Sequence, residues 1–303
     1  MKKLAMKKYL VLVLSAFVLI FSSRVFYKHY FSANINSEQA PSREIRESDP
    51  HMDKIPEALQ SGEIEEPQDQ QSPIAIDTSD TTKVVDLNLR DIIFRYKSKR
   101  FEVKHGEHAI ETFPLSAKTL TGHENKLIDY IILDEMGYRL VKFHLHMPSE
   151  HTINGKRYPL EIHFVHTREK LDEKGNILRD QDGKELFDYA VIGVLVDKGA
   201  AHPEFEKIIT RMPHDKEHGA NIIEEDIDLL KIIPANRRVL RYYGSLTTKP
   251  FTTGVKWQLI KEPIEFSQDQ LDRIAQAMNH RKNARKIQHL RVPVVNDVAS
   301  DSL

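Results

Sequence analysis

The chain predicts a mainly β fold organised as a single domain. Three observations point there. Short runs rich in β-branched and aromatic residues recur through the chain, turn signals separate them, and only two stretches have helical texture. At 303 residues the chain is long enough to bury a substantial core, and no internal repeat breaks it into smaller units.

Four lysines within the first eight residues precede an apolar run at 9–21, interrupted by a single serine. A positive start before about a dozen apolar residues is the pattern of a secretory signal, so the chain is expected to be exported, into a periplasm or beyond the cell. No clean small-x-small cleavage site follows, so residues 1–31 read as a signal peptide or as an N-terminal membrane anchor. Residues 32–70 are rich in Ser, Glu, Gln, Asp and Pro and poor in aromatics. Such a segment cannot bury enough apolar surface to offset its conformational entropy, and is expected to be a disordered acidic and polar linker.

Beyond residue 71 the texture changes. Strands are expected at 84–89, 129–133, 140–146, 160–166, 190–196 and 255–260. Gly106, Asn154-Gly155, Lys174-Gly175 and Asp182-Gly183 mark turns between them. Helices are expected at 203–212 and 268–278, and residues 167–188 form a charged excursion that reads as a surface hairpin. The basic stretch 280–291 reads as a solvated segment, and residues 293–303 as a C-terminal tail.

Composition narrows the chemistry. Lys plus Arg number 44 against 45 for Asp plus Glu, a formal net charge of -1, which argues against a nucleic-acid partner. The absence of cysteine excludes disulfides, thiolate metal sites and cysteine nucleophiles. Any metal must rest on His and carboxylates. Of 15 histidines, five fall between His144 and His166.

That segment, KFHLHMPSEHTINGKRYPLEIHFVH, supports a geometric argument. Strand side chains alternate faces, so His144 and His146 share one. If Asn154-Gly155 forms a two-residue hairpin turn, His146 falls opposite His163, and cross-strand Cβ atoms stand about 5 Å apart. Three imidazoles then converge. Three neutral histidines with a fourth position open are the ligand set of catalytic zinc, which lowers the pKa of bound water to about 7. By the same register His166 lies on the opposite face and His151 lies off the site. Glu161 shares a face with His163, and either accepts that imidazole's second N–H or faces solvent.

These residues carry a resemblance. His-Leu-His-Met-Pro-Ser-Glu-His, then Asn-Gly, then Glu-Ile-His-Phe-Val-His is similar to the α-carbonic anhydrase signature, in its bacterial form. Gln71-Ser72-Pro73-Ile74, Gly244-Ser245-Leu246-Thr247-Thr248, Val255-Lys256-Trp257 and Asn283-Ala284-Arg285 extend it, placing a catalytic domain at 71–292. The resemblance implies a central, mostly antiparallel, twisted sheet of about ten strands with short peripheral helices. It also implies reversible hydration of carbon dioxide to bicarbonate and a proton by zinc-bound hydroxide.

Carried over residue by residue, it makes His144, His146 and His163 the Zn2+ ligands and Glu161 the acceptor behind His163. Thr247 matches the threonine that accepts from zinc-bound hydroxide, and Glu150 the carboxylate that receives the threonine's proton. Val165, Val191, Leu246, Val255 and Trp257 match an apolar wall where carbon dioxide docks, with Thr248 beside them. His108 matches the proton shuttle, a role imidazole suits because it titrates near neutrality. His105 stands close enough to compete for it.

Departures from the family pattern are visible too. The aromatic stretch that usually precedes Gln-Ser-Pro-Ile is missing. Lys142 replaces a Gln that accepts from the first zinc histidine, and an ammonium has no acceptor to offer. Lys249 replaces a proline. Phe251 stands where exported relatives often carry one half of a disulfide. Two other functions stay open on the same scaffold, a catalytically silent binding module and a zinc-dependent esterase. Retention of all three histidines together with Thr247 and Glu150 favours the hydratase over the silent module.

Overall fold

The structure is a computed structural model and describes residues 69–79, 92–97, 99–115, 129–215, 217–291 and 294–296. The expected signal or anchor, nearly all of the linker and the expected strand at 84–89 lie outside these residues. Among the described residues the strands are, in chain order, β1 (Ala75–Ile76), β2 (Ile93–Arg95), β3 (Phe101–His105), β4 (Ile110–Pro114), β5 (Tyr130–Leu133), β6 (Met136–His146), β7 (Thr152–Ile153) and β8 (Lys156–Arg157). They continue with β9 (Leu160–Glu169), β10 (Phe187–Lys198), β11 (Ala220–Ile223), β12 (Val239–Ser245), β13 (Thr253–Phe266) and β14 (Val295–Asn296). Two helices, α1 (Pro203–Ile209) and α2 (Gln268–Ala277), flank them.

The main sheet has 11 strands in the order β11-β3-β4-β6-β9-β10-β13-β12-β14, with β2 and β5 joined through β6. Only β10 and β13 run parallel within it, so the sheet is mostly antiparallel, as expected. Val295–Asn296, placed by sequence in the C-terminal tail, pairs with Leu240 and Arg241 of β12.

Period-2 patterning gives each central strand two faces. Phe143 and Leu145 of β6, with Ile162 and Phe164 of β9, enter the larger core, where Phe205 and Ile208 of α1 and Leu271 and Ile274 of α2 cover them. The intervening residues His144, His146, Glu161, His163 and Val165 turn to the other face. A second cluster there holds Val165, Val191, Tyr242, Val255 and Trp257. One ladder thus serves packing on one side and chemistry on the other.

The helices follow from their termini. Pro203 opens α1, and the His202 side chain caps it by accepting the Phe205 N–H at 3.2 Å. The expected 203–212 helix stops at Ile209 because Arg211 and Met212 bond instead to the carbonyls of Ile208 and Ile209, tightening the last turn. Ser267 and Gln270 form a reciprocal capping box on α2, a feature that stabilises by about 1 kcal/mol.

The expected surface hairpin at 167–188 has two tips rather than one. Asp172 Oδ1 accepts the N–H groups of Lys174 and Asn176 at 2.8 Å, and Asp180 Oδ1 accepts those of Asp182 and Lys184 at 2.9 Å. Each aspartate closes its own turn. Three segments then bond in a ring, Lys170 to Leu186, Leu186 to Leu178 and Leu178 to Lys170.

Candidate active site

The hairpin register differs from expectation in an instructive way. At the tip the two-residue turn is present, with Asn154 at φ 51° and Gly155 at φ 74°, and Thr152 pairs with Arg157. In the main ladder, however, His144 stands opposite His163, and His146 opposite Glu161. The tip strands leave to join β1, so the chain between them takes up an offset of two residues. An even offset keeps every side chain on its face. The imidazoles therefore still converge, with ring centroids 4.9 Å apart for His144 and His146, 5.2 Å for His144 and His163, and 4.6 Å for His146 and His163. One nitrogen from each lies within 4.8 Å of the others.

What the remaining nitrogens do decides whether a metal fits. His146 Nδ1 donates to the main-chain oxygen of Asn283 at 3.3 Å, leaving Nε2 buried without a hydrogen bond, although Glu150 Oε2 is 3.4 Å away. His163 Nε2 donates to Glu161 Oε1 at 2.8 Å, leaving Nδ1 for the centre. Burial, reinforced by the neighbouring imidazoles, pushes His144 and His146 well below the ordinary histidine range. They are neutral at working pH, as metal ligands must be. The donor set is that of a divalent ion with nitrogen preference.

Glu161 is the hub behind these ligands. Its Oε1 also accepts from His151 Nδ1 at 2.7 Å, and its Oε2 accepts the N–H groups of Glu150 and His151 at 2.8 and 2.9 Å. Burial alone would raise its pKa, but the imidazoles of His151 and His163 outweigh it and hold the carboxyl well below its usual range. Gly193, across the ladder from His163, leaves it room, since a Cβ there would lie 3.3 Å from Glu161 Oε1 and 2.7 Å from a Leu259 methyl. His151, read from the sequence as off the site, is the third member of this network. It bridges Glu161 to the Tyr242 hydroxyl, 2.6 Å from its Nε2, and sits edge-on to Trp257. It supports the ligands without joining them. His166 lies on the opposite face, as expected, against the Tyr96 hydroxyl at 2.8 Å.

Burial raises the Glu150 carboxyl to about 7, against hydrogen bonds from the Arg285 main-chain N–H, at 2.7 Å, and from the Thr247 side chain. Arg285 and Asn283 come from the stretch read as solvated, and both reach the site. His144 and His163 line a cavity of about 520 Å³. Val165, Val191, Leu246 and Trp257 wall it, Thr247 and Thr248 edge it, and His108 stands at the mouth with about half its side chain exposed. Val255 is fully buried in the cluster behind the wall. His105 opens instead onto a neighbouring hollow of about 370 Å³ that shares His108.

Two cavity residues were not foreseen in their arrangement. Lys142 pairs with Glu111, the residue facing His144 from β4, and His144 Nδ1 is buried without a partner among the described residues.

Comparison with known proteins gives the class of such a site. Residues 61–297 match the family described as eukaryotic-type carbonic anhydrase, and the chain belongs to the α-carbonic anhydrase family. It is an enzyme of that class. It is 32% identical to a carbonic anhydrase of Klebsiella pneumoniae over 225 residues, 74% of this chain and 78% of that one. A Neisseria gonorrhoeae carbonic anhydrase is 30% identical over 226 residues, covering 74% and 76%. The α-carbonic anhydrase of Thermovibrio ammonificans, solved with the inhibitor sulfanilamide, superposes with a TM-score of 0.60 at 34% identity, covering 75% of this chain and 87% of that one.

Proposed function

We propose that the chain hydrates carbon dioxide reversibly to bicarbonate and a proton, with zinc held by His144, His146 and His163. The observation that carries this reading is the convergence of three buried imidazoles, two of which, His144 and His163, line a cavity with apolar side chains beside them. When bound there, zinc would supply a nucleophile from water near neutral pH.

The chain's own residues do the rest. Glu161 and the Asn283 carbonyl fix the tautomers of His163 and His146, so each aims its lone pair inward. Thr247, its proton committed to Glu150, has only lone pairs left, and orients the attacking water by accepting from it. Val165, Val191, Leu246 and Trp257 hold an uncharged substrate where a polar lining would hold water. His108, half exposed at the mouth, passes the proton to buffer.

The test is carbon dioxide hydration, assayed beside ester hydrolysis, with zinc-loaded and chelated protein. Hydration that appears only with zinc supports the reading. A fully loaded protein that hydrolyses esters but does not hydrate carbon dioxide refutes it. Export belongs to the same proposal, supported by the basic and apolar start of the chain. Cell fractionation checks it, and accumulation in the cytoplasm would contradict it.

A further inference from the structure

The β4–β6 ladder is short. It pairs Thr112 with Phe143 and Glu111 with His144, and stops. Past that point the chain of β4 runs back to the turn carrying His108, closed by one bond from Gly106 N–H to the Ala109 carbonyl at 2.8 Å. The chain of β6 runs on through Leu145 and His146. Carbonyl oxygens of both chains face the gap between them.

Asn283 closes that gap. Its side-chain Nδ2 donates to the Leu145 carbonyl at 2.8 Å and to the His108 carbonyl at 3.0 Å. Its Oδ1 accepts the Met147 N–H at 2.9 Å, and its own N–H donates to the Met147 carbonyl at 3.3 Å. Its main-chain oxygen accepts from His146 Nδ1. An amide is suited to the place because one nitrogen carries two donors and the oxygen beside it accepts, a set that no carboxylate or hydroxyl provides.

We infer that Asn283 is a positioning residue for proton transfer: it sets the placement of His108 relative to the ligand strand by tying the His108 carbonyl to Leu145 and Met147. The inference rests on the hydration reading above. Among the described residues the His108 ring has a single ionic neighbour, Glu107 at 3.7 Å, and half of it is in solvent. Its position is therefore inherited from its backbone, which Asn283 holds. Proton relay through an imidazole depends steeply on reach, and a displacement of about 1 Å in a catalytic constellation can cost about 100-fold.

The experiment uses the full zinc-loaded chain and the variants Asn283→Ala, Asn283→Ser, His108→Ala and the double Asn283→Ala/His108→Ala. In dilute non-imidazole buffer, Asn283→Ala is expected to lower kcat about 10-fold while kcat/KM stays within about 2-fold, and added imidazole restores kcat. In the His108→Ala background the same change has no further effect on kcat. Amide hydrogen exchange across residues 106–109 rises in the Asn283 variants, a readout independent of activity. Asn283→Ser serves where the alanine variant does not retain metal. Equal losses of kcat and kcat/KM, a kcat loss that persists without His108, or unchanged exchange at 106–109 each overturn the inference. A loaded wild-type enzyme inactive toward carbon dioxide overturns the functional reading instead, and the exchange measurement still decides whether Asn283 holds the turn.

Discussion

Lys142 pairs its ammonium with Glu111, the residue opposite His144 on β4, and shares a strand face with His144 two residues on. His144 is consequently the one ligand whose outer nitrogen has no hydrogen-bond acceptor among the described residues, and burial with nearby positive charge disfavours its protonation. Lys142→Gln would supply an amide oxygen and remove that charge. Zinc affinity, measured by chelator competition, should rise roughly 10-fold. Lys142→Met removes the charge without adding an acceptor and should gain less. Equal affinity in all three proteins would show that the outer nitrogen of His144 does not matter here.

Glu161 receives four N–H groups in a fully buried setting. Glu161→Gln places a donor among donors. Zinc should bind about 10- to 100-fold more weakly and the apoprotein should also melt earlier. Thermal unfolding with and without metal separates the two effects. An unaltered zinc affinity would remove Glu161 from the site.

Arg285 lies over the Phe251 ring, its guanidinium carbon 3.7 Å from the centroid, while one of its nitrogens donates to Gln71 Oε1 at 3.0 Å and to the Ser72 carbonyl at 2.7 Å. The contact joins the loop after Thr247 to the start of the domain. Arg285→Lys keeps the charge but loses the planar fork, and should destabilise by about 1 kcal/mol. Chemical denaturation at low and high salt is the measurement. No change in midpoint would show that the stack contributes nothing.

His166 is buried against Tyr96, and burial lowers its pKa from 6.5 to about 3. The folded state therefore binds this proton less readily than the unfolded state. The associated stability is fully present above pH 6.5 and is lost as pH falls toward 3, at about 1.4 kcal/mol per pH unit. His166→Phe should show a shallower fall in denaturation midpoint between pH 6.5 and 4.5 than the wild type. Parallel curves would assign the acid sensitivity elsewhere.

The ligand ladder was legible because one local pattern, alternation over a strand, carries both its core and its site. The face assignment survived an error in register because parity, not pairing, decides which side a residue takes. Strands β3 and β4 escaped notice because each is only five residues long; Glu102 and Lys104 alternate with apolar neighbours, but the run is short and the sheet around it settles the conformation. His151 was visible as a residue but its role was not, since it depends on Tyr242, 91 positions away. Asn283 and Arg285 sit in a basic stretch with no periodicity, and their partners Leu145 and Glu150 lie more than 130 residues distant. Contacts of that range leave no local signature.

Arg285 spanning Phe251, Gln71 and Ser72 has a consequence for where this polypeptide can mature. With no cysteine anywhere in the chain, nothing in its folding waits for an oxidant, and a glutathione-rich cytosol and an oxidising exterior should yield the same shape. Ionic strength and heat, not electron potential, are the conditions that loosen such a fastening.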